Sequence, residues 1–323
     1  MKNKIISTIV ALSVVGTSYA IEVNDNLSIN GFVDTSYSNA KTDGSATNTE
    51  KVSIDEVELN FLFNVGSVSG EIHLDNDNTD STDGNQADIE QAHFTYQING
   101  AVSATFGRYG SALGFEREDP AGLYTFSRAY TDDSFNLGDV DNNRVEGLTL
   151  AYSADSYTIA VSLANQVGVE ADLQDNDLDF EISFTYAGIA GVNIGGGFFI
   201  DNEDTGTAQT DSVNLHISRQ FGKLLLAGEY TQLDTDANGQ VGEVTEEQDA
   251  YMILADYDFN DKFGIAVRLS SQEQSGITAD YDKVTIAPNY AITDSLGAIF
   301  EYSDVDNAGT DSEELAVELT YTF

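Results

Sequence analysis

The sequence predicts an all-β protein, a transmembrane antiparallel β-barrel of about 16 strands with short periplasmic turns and long extracellular loops. Three observations predict this fold class. The last strand alternates apolar and polar side chains, the first 20 residues have the pattern of an export signal, and the connections between strand candidates alternate between short and long.

Residues 1–20 predict a secretory signal peptide. Lys2 and Lys4 precede an uncharged apolar run, and small residues end the segment at Ala20, where a signal peptidase would cut. Residues 21–323 would then form a single barrel domain. No later stretch has the roughly 18 continuous apolar residues of a transmembrane helix. The mature chain is therefore expected either as a soluble protein outside the inner membrane or as a barrel in a Gram-negative outer membrane.

The closing segment, residues 315–323, alternates strictly. Leu319 and Tyr321 share one parity and are expected to face lipid, whereas Glu318 has the other parity and is expected to face a wet interior. A strand of a soluble β-sandwich can alternate in the same way. The chain ends on Phe323, and together with Tyr321 this aromatic ending resembles a barrel-assembly signal.

Alternation along the chain gives about sixteen strand candidates, an even number as in bacterial single-chain barrels. They are residues 27–37, 52–64, 67–75, 88–98, 102–109, 143–153, 156–166, 178–187, 190–201, 211–220, 223–233, 248–258, 262–272, 281–290, 294–304 and 313–323. The faces of strands 102–109 and 143–153 stay open. Pro288 predicts a bulge or a strand end, because proline removes a ladder hydrogen bond.

The connections are short at one end of the predicted barrel and long at the other. The short ones are 64–67, 98–101, 153–156, 187–190, 220–223, 258–262 and 290–294. The long polar ones are 38–51, 75–87, 110–142, 166–177, 202–210, 234–247, 273–280 and 304–312. This alternation is typical of outer-membrane barrels, and aromatic residues near the short turns predict an interfacial belt on the periplasmic side.

The charge balance is strongly acidic. With 13 Lys+Arg against 55 Asp+Glu the formal net charge is -42, which excludes a nucleic-acid partner, and the absence of Cys excludes a disulfide-stabilised domain. Arg268 is the only clear cation among the inward positions, and His73 and His93 are expected to face the lumen, so the interior should attract cations. The inward acids predicted by parity include Asp34, Glu56, Glu58, Glu71, Asp179, Glu181, Glu229, Glu301 and Glu318.

Three segments resemble the OmpL-like putative β-barrel porins. They are residues 31–37 (GFVDTSY), 105–116 (TFGRYGSALGFE) and 127–130 (SRAY). These matches cover the first half of the chain, and the second half is similar only in strand rhythm and in its terminal Phe. The resemblance implies a passive porin of the outer membrane that needs no cofactor.

The longest connection, residues 110–142, is the third long one, and in porins the third long loop commonly folds into the barrel. It carries much of the chain's scarce positive charge opposite several acids. Opposed charges across a constriction orient water and dipolar solutes. The alternative is a salt-bridged loop packed on the wall. The candidate constriction residues are Arg108, Glu116, Arg117, Glu118, Asp119, Arg128, Asp132, Asp133 and Arg144.

Signals for metal binding and catalysis are weak. Asp234, Asp236 and Asn238 resemble the start of a calcium loop, but the twelfth position is Thr245 rather than Glu, and turns favour the same residue types. No specific metal site is therefore expected, although divalent cations would bind loosely to the acidic rim. No Ser or Asp has a spacing that marks a nucleophile, so no enzymatic activity is expected.

Together these features favour a passive diffusion channel for ions and small hydrophilic solutes that prefers cations. Two alternatives stay open: a substrate-specific channel, and a structural or adhesive barrel without an open pore. The expected partners are outer-membrane lipid and lipopolysaccharide, the barrel-assembly machinery, and the permeating solutes and cations. The sequence leaves open whether the barrel is a monomer or a homotrimer.

Overall fold

The structure, a computed structural model, describes residues 20–76, 88–116, 119–130, 135, 137, 144–165, 178–201, 209–236, 246–274 and 280–323. The predicted signal peptide lies outside these residues, apart from Ala20. Along the described ranges, no helix is long and apolar enough to cross a membrane. The regular structure there is β-sheet, with one turn of 3-10 helix at Pro120–Gly122.

Seventeen strands make up the sheet in the described ranges. They are β1 (Ile21–Asn24), β2 (Leu27–Thr42), β3 (Thr49–Val65), β4 (Val68–Asn76), β5 (Asp88–Gln97), β6 (Val102–Gly110), β7 (Arg144–Ser153), β8 (Tyr157–Asn165), β9 (Asp179–Ile189), β10 (Val192–Ile200), β11 (Gln209–Phe221), β12 (Leu224–Asp236), β13 (Glu246–Asn260), β14 (Phe263–Gln274), β15 (Tyr281–Ala291), β16 (Leu296–Asn307) and β17 (Thr310–Thr322). The sixteen predicted strands correspond to β2–β17 and are confirmed. Alternation missed only the short β1.

The barrel closes between its last and its first long strand. Each strand from β2 onward pairs antiparallel with the next, and β17 pairs back onto β2 up to Phe32. β1 pairs with the remaining part of the same edge, Leu27 to Ile29. The short β1 and the last strand β17 therefore pair one after the other along the same edge of β2, and together they complete one of the 16 strand positions of the barrel. No long strand of the described chain keeps an unpaired edge, as a bilayer requires.

The terminal residue makes the join between these two pieces. The Phe323 N–H donates to Gly31 O at 3.0 Å, and the Gly31 N–H donates to Phe323 O at 3.0 Å. A Cβ atom at Gly31 would lie 2.2 Å from the carbonyl oxygen of Glu58 and 3.0 Å from Phe323 Cζ. Only glycine therefore leaves room on β2 for both the neighbouring strand β3 and the terminal ring.

Side chains alternate between the two faces of the wall as predicted. On β3, Val57 and Phe63 are exposed on the outside, whereas Glu58 and Asn60 are buried on the inside. The predicted aromatic belt is present, and its exposed members lie next to the short turns. They are Phe63, Tyr96, Tyr152, Tyr157, Phe221, Tyr257, Phe259, Phe263, Tyr290 and Tyr321.

Two predictions about strand ends are wrong. Residues 304–312 do not form a long loop, because β16 and β17 continue outward and are joined by a tight turn at Ala308 and Gly309, with φ of 54° and 79°. β15 does not end or bulge at Pro288 but continues to Ala291. Its ladder with β14 is continuous there, and only the ladder with β16 lacks pairs at Ala287 and Pro288.

We predict that Gly31→Ala lowers the yield of folded barrel severalfold, because the added methyl group meets backbone of β3 and the ring of Phe323. Deletion of Phe323 should have a similar effect, since it removes the hydrogen-bonded pair with Gly31. The measurement is the heat-modifiable band of outer-membrane fractions on gels.

Gly297→Ala is the matched control, because a Cβ atom at this strand glycine has no neighbour within 4 Å. Normal levels of folded Gly31→Ala protein would contradict the proposed role of this close contact.

Candidate functional site

The described part of the long loop after β6 crosses the inside of the barrel. Ser111 Oγ donates to Glu181 Oε2 on β9 at 2.5 Å. Further along, the Phe115 N–H donates to Glu229 Oε1 on β12 at 2.6 Å. Both acids lie on the inward face of their strands and are buried. Residues 111–115 therefore run across the lumen from β9 to β12.

A run of glycines on β10 makes room for this crossing. A Cβ atom at Gly197 would lie 2.9 Å from Leu113 Cδ2 of the loop and 2.0 Å from the carbonyl oxygen of Ile182. Leu113 is almost completely buried at this point. The absence of a side chain on the inner face of β10 thus allows the loop to lie close to the wall.

Arg268 is the main anchor of the loop. This β14 side chain is 0% exposed. Its Nη1 donates to Glu116 Oε1 at 2.5 Å and to Thr125 Oγ1 at 2.7 Å, and its Nη2 donates to the carbonyl oxygens of Ser127 and Arg128, both at 2.6 Å. One guanidinium therefore ties together two separate stretches of the loop.

The returning stretch of the loop binds the neighbouring strands. The Ser127 N–H donates to Glu301 Oε2 on β16 at 3.1 Å, and its hydroxyl also donates to this carboxylate. Lys283 Nζ on β15 donates to the carbonyl oxygen of Arg128 at 3.0 Å. Within the loop, the Ala129 N–H donates to Glu116 Oε2 at 2.9 Å. The loop is thus fixed along β14–β16 by acids and bases together.

An apolar cluster inside the barrel also holds the loop against β12–β15. The inner face of β12–β15 carries small and apolar residues where other strands carry Ser and Thr. Tyr130 and Phe135 of the loop pack on this face with their ring centroids 5.8 Å apart. The wall residues of the cluster are Ala227, Leu233, Ala250, Met252, Leu254, Ala266 and Ala287.

On the other side the lumen stays open. A cavity of about 1010 Å³ lies between the loop and the short-turn end of the barrel. Its wall comes mainly from β3–β11 and is rich in small polar side chains such as Ser103, Thr149 and Ser183. The loop contributes Phe115 and Tyr124, whose rings stack with centroids 6.3 Å apart. This vestibule is suited to water and small hydrophilic solutes.

A group of carboxylates and one histidine lies where the loop approaches β3–β5. His73 Nδ1 lies 2.7 Å from Glu58 Oε1 and 3.6 Å from Glu90 Oε2, and its Nε2 lies 3.2 Å from Glu71 Oε2. Asp119 reaches this group from the loop. Burial and the negative charges of Glu58 and Glu90 raise the pKa of Asp119 above its ordinary value.

Two β-bulges border this group. The register of β2 against β3 skips Asp55, and that of β4 against β5 skips Glu90. The extra residue of a bulge breaks the alternation, so its side chain can point to the face opposite to the one that alternation predicts. Glu90 is therefore buried beside His73 although alternation from Gln91 predicts that it faces lipid.

The predicted constriction residues are distributed over different places. Glu116, Asp119 and Arg128 lie in the loop inside the barrel, and Arg117, Glu118, Asp132 and Asp133 lie outside the described residues. Arg144 is the first residue of β7. The constriction role of these residues stays a prediction.

Arg108 is a correction. It has the parity of Phe106, which is exposed on the outer face of β6, and it forms a cross-strand ion pair with Glu146 of β7. On the inner face of β6, the hydroxyl of Tyr109 forms a hydrogen bond with that of Thr149, and both residues line the cavity. Arg108 therefore does not point into the lumen, because the even-numbered side chains of β6 face outward.

The nine predicted lumen acids all have inward parity. Glu181, Glu229 and Glu301 accept hydrogen bonds from the loop, and Asp34 accepts one from Thr320 on β17 at 2.8 Å. Glu71 is more open than the buried members, with 40% of its side chain exposed. Their effect on ion selectivity stays a prediction. The remaining members are Glu56, Glu58, Asp179 and Glu318.

Some functional residues were missed. Lys283 is a second buried inward base, and the alternation of Lys283 and Thr285 with the apolar Val284 and Ile286 was a usable signal. Glu90 had no such signal because a bulge displaces it. The weak calcium candidate lies only partly within the described residues: Asp234 lies in β12 and pairs with Glu247 of β13, Asp236 ends β12, and Asn238 is outside them.

Fold and site together define a class. A closed 16-stranded barrel with an aromatic belt, an internal loop and a polar vestibule is a porin-like barrel of the bacterial outer membrane. The chain belongs to the putative beta-barrel porin-2, OmpL-like family, whose sequence model matches residues 14–320. The resemblance seen in the sequence is thereby confirmed. A comparison with curated proteins finds no match.

Solved structures with similar folds are also outer-membrane proteins. An anion-selective porin from Comamonas acidovorans has a TM-score of 0.67 at 12% identity, covering 92% of this chain and 99% of that one. Salmonella typhi OmpF has a TM-score of 0.66 at 14% identity, with 94% and 100% covered. The trimer form of Vibrio cholerae OmpT has a TM-score of 0.63 at 12% identity, with 93% and 100% covered. At these identities the likeness shows the fold alone.

We predict that Arg268→Met destabilises the barrel by about 3–5 kcal/mol, because it leaves Glu116 buried without its cation. The freed loop should also raise the conductance and its fluctuations. Urea unfolding in detergent, followed by circular dichroism, and single-channel recording measure the two effects.

The double variant Arg268→Met with Glu116→Gln should recover part of the lost stability, since no uncompensated charge remains. Wild-type stability and conductance of the single variant would show that Arg268 does not hold the loop.

Proposed function

We propose that this protein is a passive diffusion channel for ions and small hydrophilic solutes and that it prefers cations. The charged residues that line the vestibule support the proposed preference for cations. Five acids line the vestibule, Glu22, Asp25, Glu71, Asp119 and Glu181, whereas its described lining has no Lys or Arg and its basic residues are His73, His93 and His216. His73 lies among Glu58, Glu71 and Glu90, so acids outnumber cations beside it. A wall with an excess of fixed charge of one sign selects ions of the other sign.

The buried inward bases do not counter this field. The donors of Arg268 and Lys283 point to the loop, which supplies Glu116 and several carbonyl oxygens as partners. These cations are thus used to hold the loop rather than to line the vestibule. At about 0.15 M salt the Debye length is near 8 Å, so the wall charge reaches across much of a narrowed lumen.

A fold shared with an anion-selective porin does not argue against this proposal. That protein is 12% identical to this chain, so it has different side chains on the same kind of wall. In a channel the selectivity comes from the charged residues that line the narrow part. The proposal therefore rests on the lining of this barrel.

A substrate-specific channel is the second candidate, and the stacked rings of Phe115 and Tyr124 favour it. His216 lies beside them, with its ring centroid 6.1 Å from that of Phe115. Flat apolar rings next to polar groups are suited to binding a sugar or a peptide. Block of the current by such a solute, relieved by Phe115→Ala, would support this candidate.

Membership of a porin family also supports the remaining parts of the proposal. We infer that the protein is not an enzyme and that it meets lipid, lipopolysaccharide and the barrel-assembly machinery in the outer membrane. The trimer form of the OmpT neighbour makes a homotrimer the first oligomer to test. A structural or adhesive barrel would show no conductance.

We predict that cations carry most of the current in a salt gradient and that the preference fades toward 1 M salt, where the Debye length is about 3 Å. Glu71→Gln should lower the cation preference, because Glu71 lines the vestibule and is partly exposed. Reversal potentials in planar bilayers measure both effects. Glu71 is preferable to Glu181 because Glu181 also holds the loop.

Glu273→Gln is the matched control, since it removes the same charge from the outer face of β14, where it has the parity of the exposed Leu269. Its reversal potential should equal that of the wild type. An anion preference of the wild-type channel would refute the proposed selectivity.

A further inference from the structure

Three carboxylates meet where the loop approaches β3. Glu56 and Glu58 have the same inward parity on β3, and Asp119 precedes the 3-10 turn of the loop. One oxygen from each residue lies within 4.8 Å of the others. These acids come from two separate parts of the chain, so the contact depends on the loop being inside the barrel.

Glu58 is the least satisfied member. It is 1% exposed, and its Oε1 lies beside His73 Nδ1. Its Oε2 accepts no hydrogen bond from any residue that the structure describes. A buried carboxylate oxygen without a donor is costly, because it has lost its water and has gained no partner. The arrangement therefore calls for a positive ligand.

His73 alone does not supply enough positive charge. Its two ring nitrogens lie near Glu58, Glu71 and Glu90, so one imidazole is shared among three carboxylates. Both nitrogens are engaged in this way. Glu56 and Asp119 add two further carboxylates on the other side of Glu58. One imidazolium cannot neutralise the five carboxylates of this group.

We propose that Glu56, Glu58 and Asp119 bind a calcium ion. Calcium prefers oxygen ligands at about 2.3–2.6 Å, so two ligands on opposite sides of the ion lie about 4.6–5.2 Å apart. The oxygen atoms of this group lie within 4.8 Å of one another, so one ion can contact all three. Magnesium usually keeps several waters and takes only one or two carboxylates, whereas calcium accepts several carboxylates in a flexible geometry. Asp119 lines the vestibule, which gives the ion a path and water for its remaining positions.

The bound ion would complete the attachment of the loop. The protein's own hydrogen bonds hold the loop on β9, β12 and β14–β16, and the calcium ion would add a link from Asp119 to β3. This inference goes beyond the proposed channel function and does not depend on it, because binding is measured without any current.

The experiment is calorimetric titration of the folded wild-type barrel in detergent with calcium chloride, after chelator treatment and in 0.15 M sodium chloride. We expect one saturable site per chain above the weak binding of the acidic loops. Asp119→Asn should weaken this site at least tenfold. Glu273→Gln removes one carboxylate elsewhere and should leave the site unchanged.

Folding of each variant is checked by heat-modifiability, and Glu58→Gln replaces Asp119→Asn if that variant does not fold. Absence of a saturable site in the wild type, or equal affinity in a folded variant, overturns the proposal. Tighter binding of zinc than of calcium, abolished by His73→Ala, would place a metal among Glu58, His73 and Glu90 and would equally overturn the calcium assignment.

Discussion

Every backbone N–H and C=O of a chain that crosses lipid must find a partner within the protein, and the closure of β17 onto β2 meets this requirement. Because the closed wall leaves alternate side chains on opposite faces, lipid fixes the outward set as apolar and frees the inward set to be polar. The lumen then holds many carboxylates. The segment that lies inside the lumen is therefore one that can form hydrogen bonds and ion pairs with these carboxylates.

The internal loop satisfies a large part of them. Glu181, Glu229 and Glu301 accept hydrogen bonds from the loop, so wall acids act as acceptors for a segment that has little regular structure of its own. Arg268 does the reverse and donates to loop carbonyl oxygens. Breaking such a buried pair by removing one partner is far more costly than losing a surface ion pair. The position of the loop is therefore set by a few buried charges together with the apolar cluster on β12–β15.

Much of this could be predicted from the sequence because the period of a strand is two. That period placed Glu58, Glu181 and Arg268 on the inside without any knowledge of the fold. It failed at Glu90, where a bulge inserts one residue, and it gave no phase for Arg108, which lies in a short strand next to Gly107. The path of the loop was not predictable from local pattern, since its partners lie up to 174 residues away. One signal was available: the alanines on the inner face of β12–β15 mark where a segment can pack.

The same division of charges bears on function. A porin wall with both acids and bases facing the water could select either sign, and a shared fold does not decide between them. Here the loop occupies Arg268 and Lys283, the buried Arg and Lys of the described wall, and leaves acids such as Glu71 facing the vestibule. The loop therefore does more than narrow the lumen. In the proposed channel, a loop that binds the buried wall cations leaves the acids to meet the permeating ions, and we expect a loop held differently on the same sixteen strands to give a different preference.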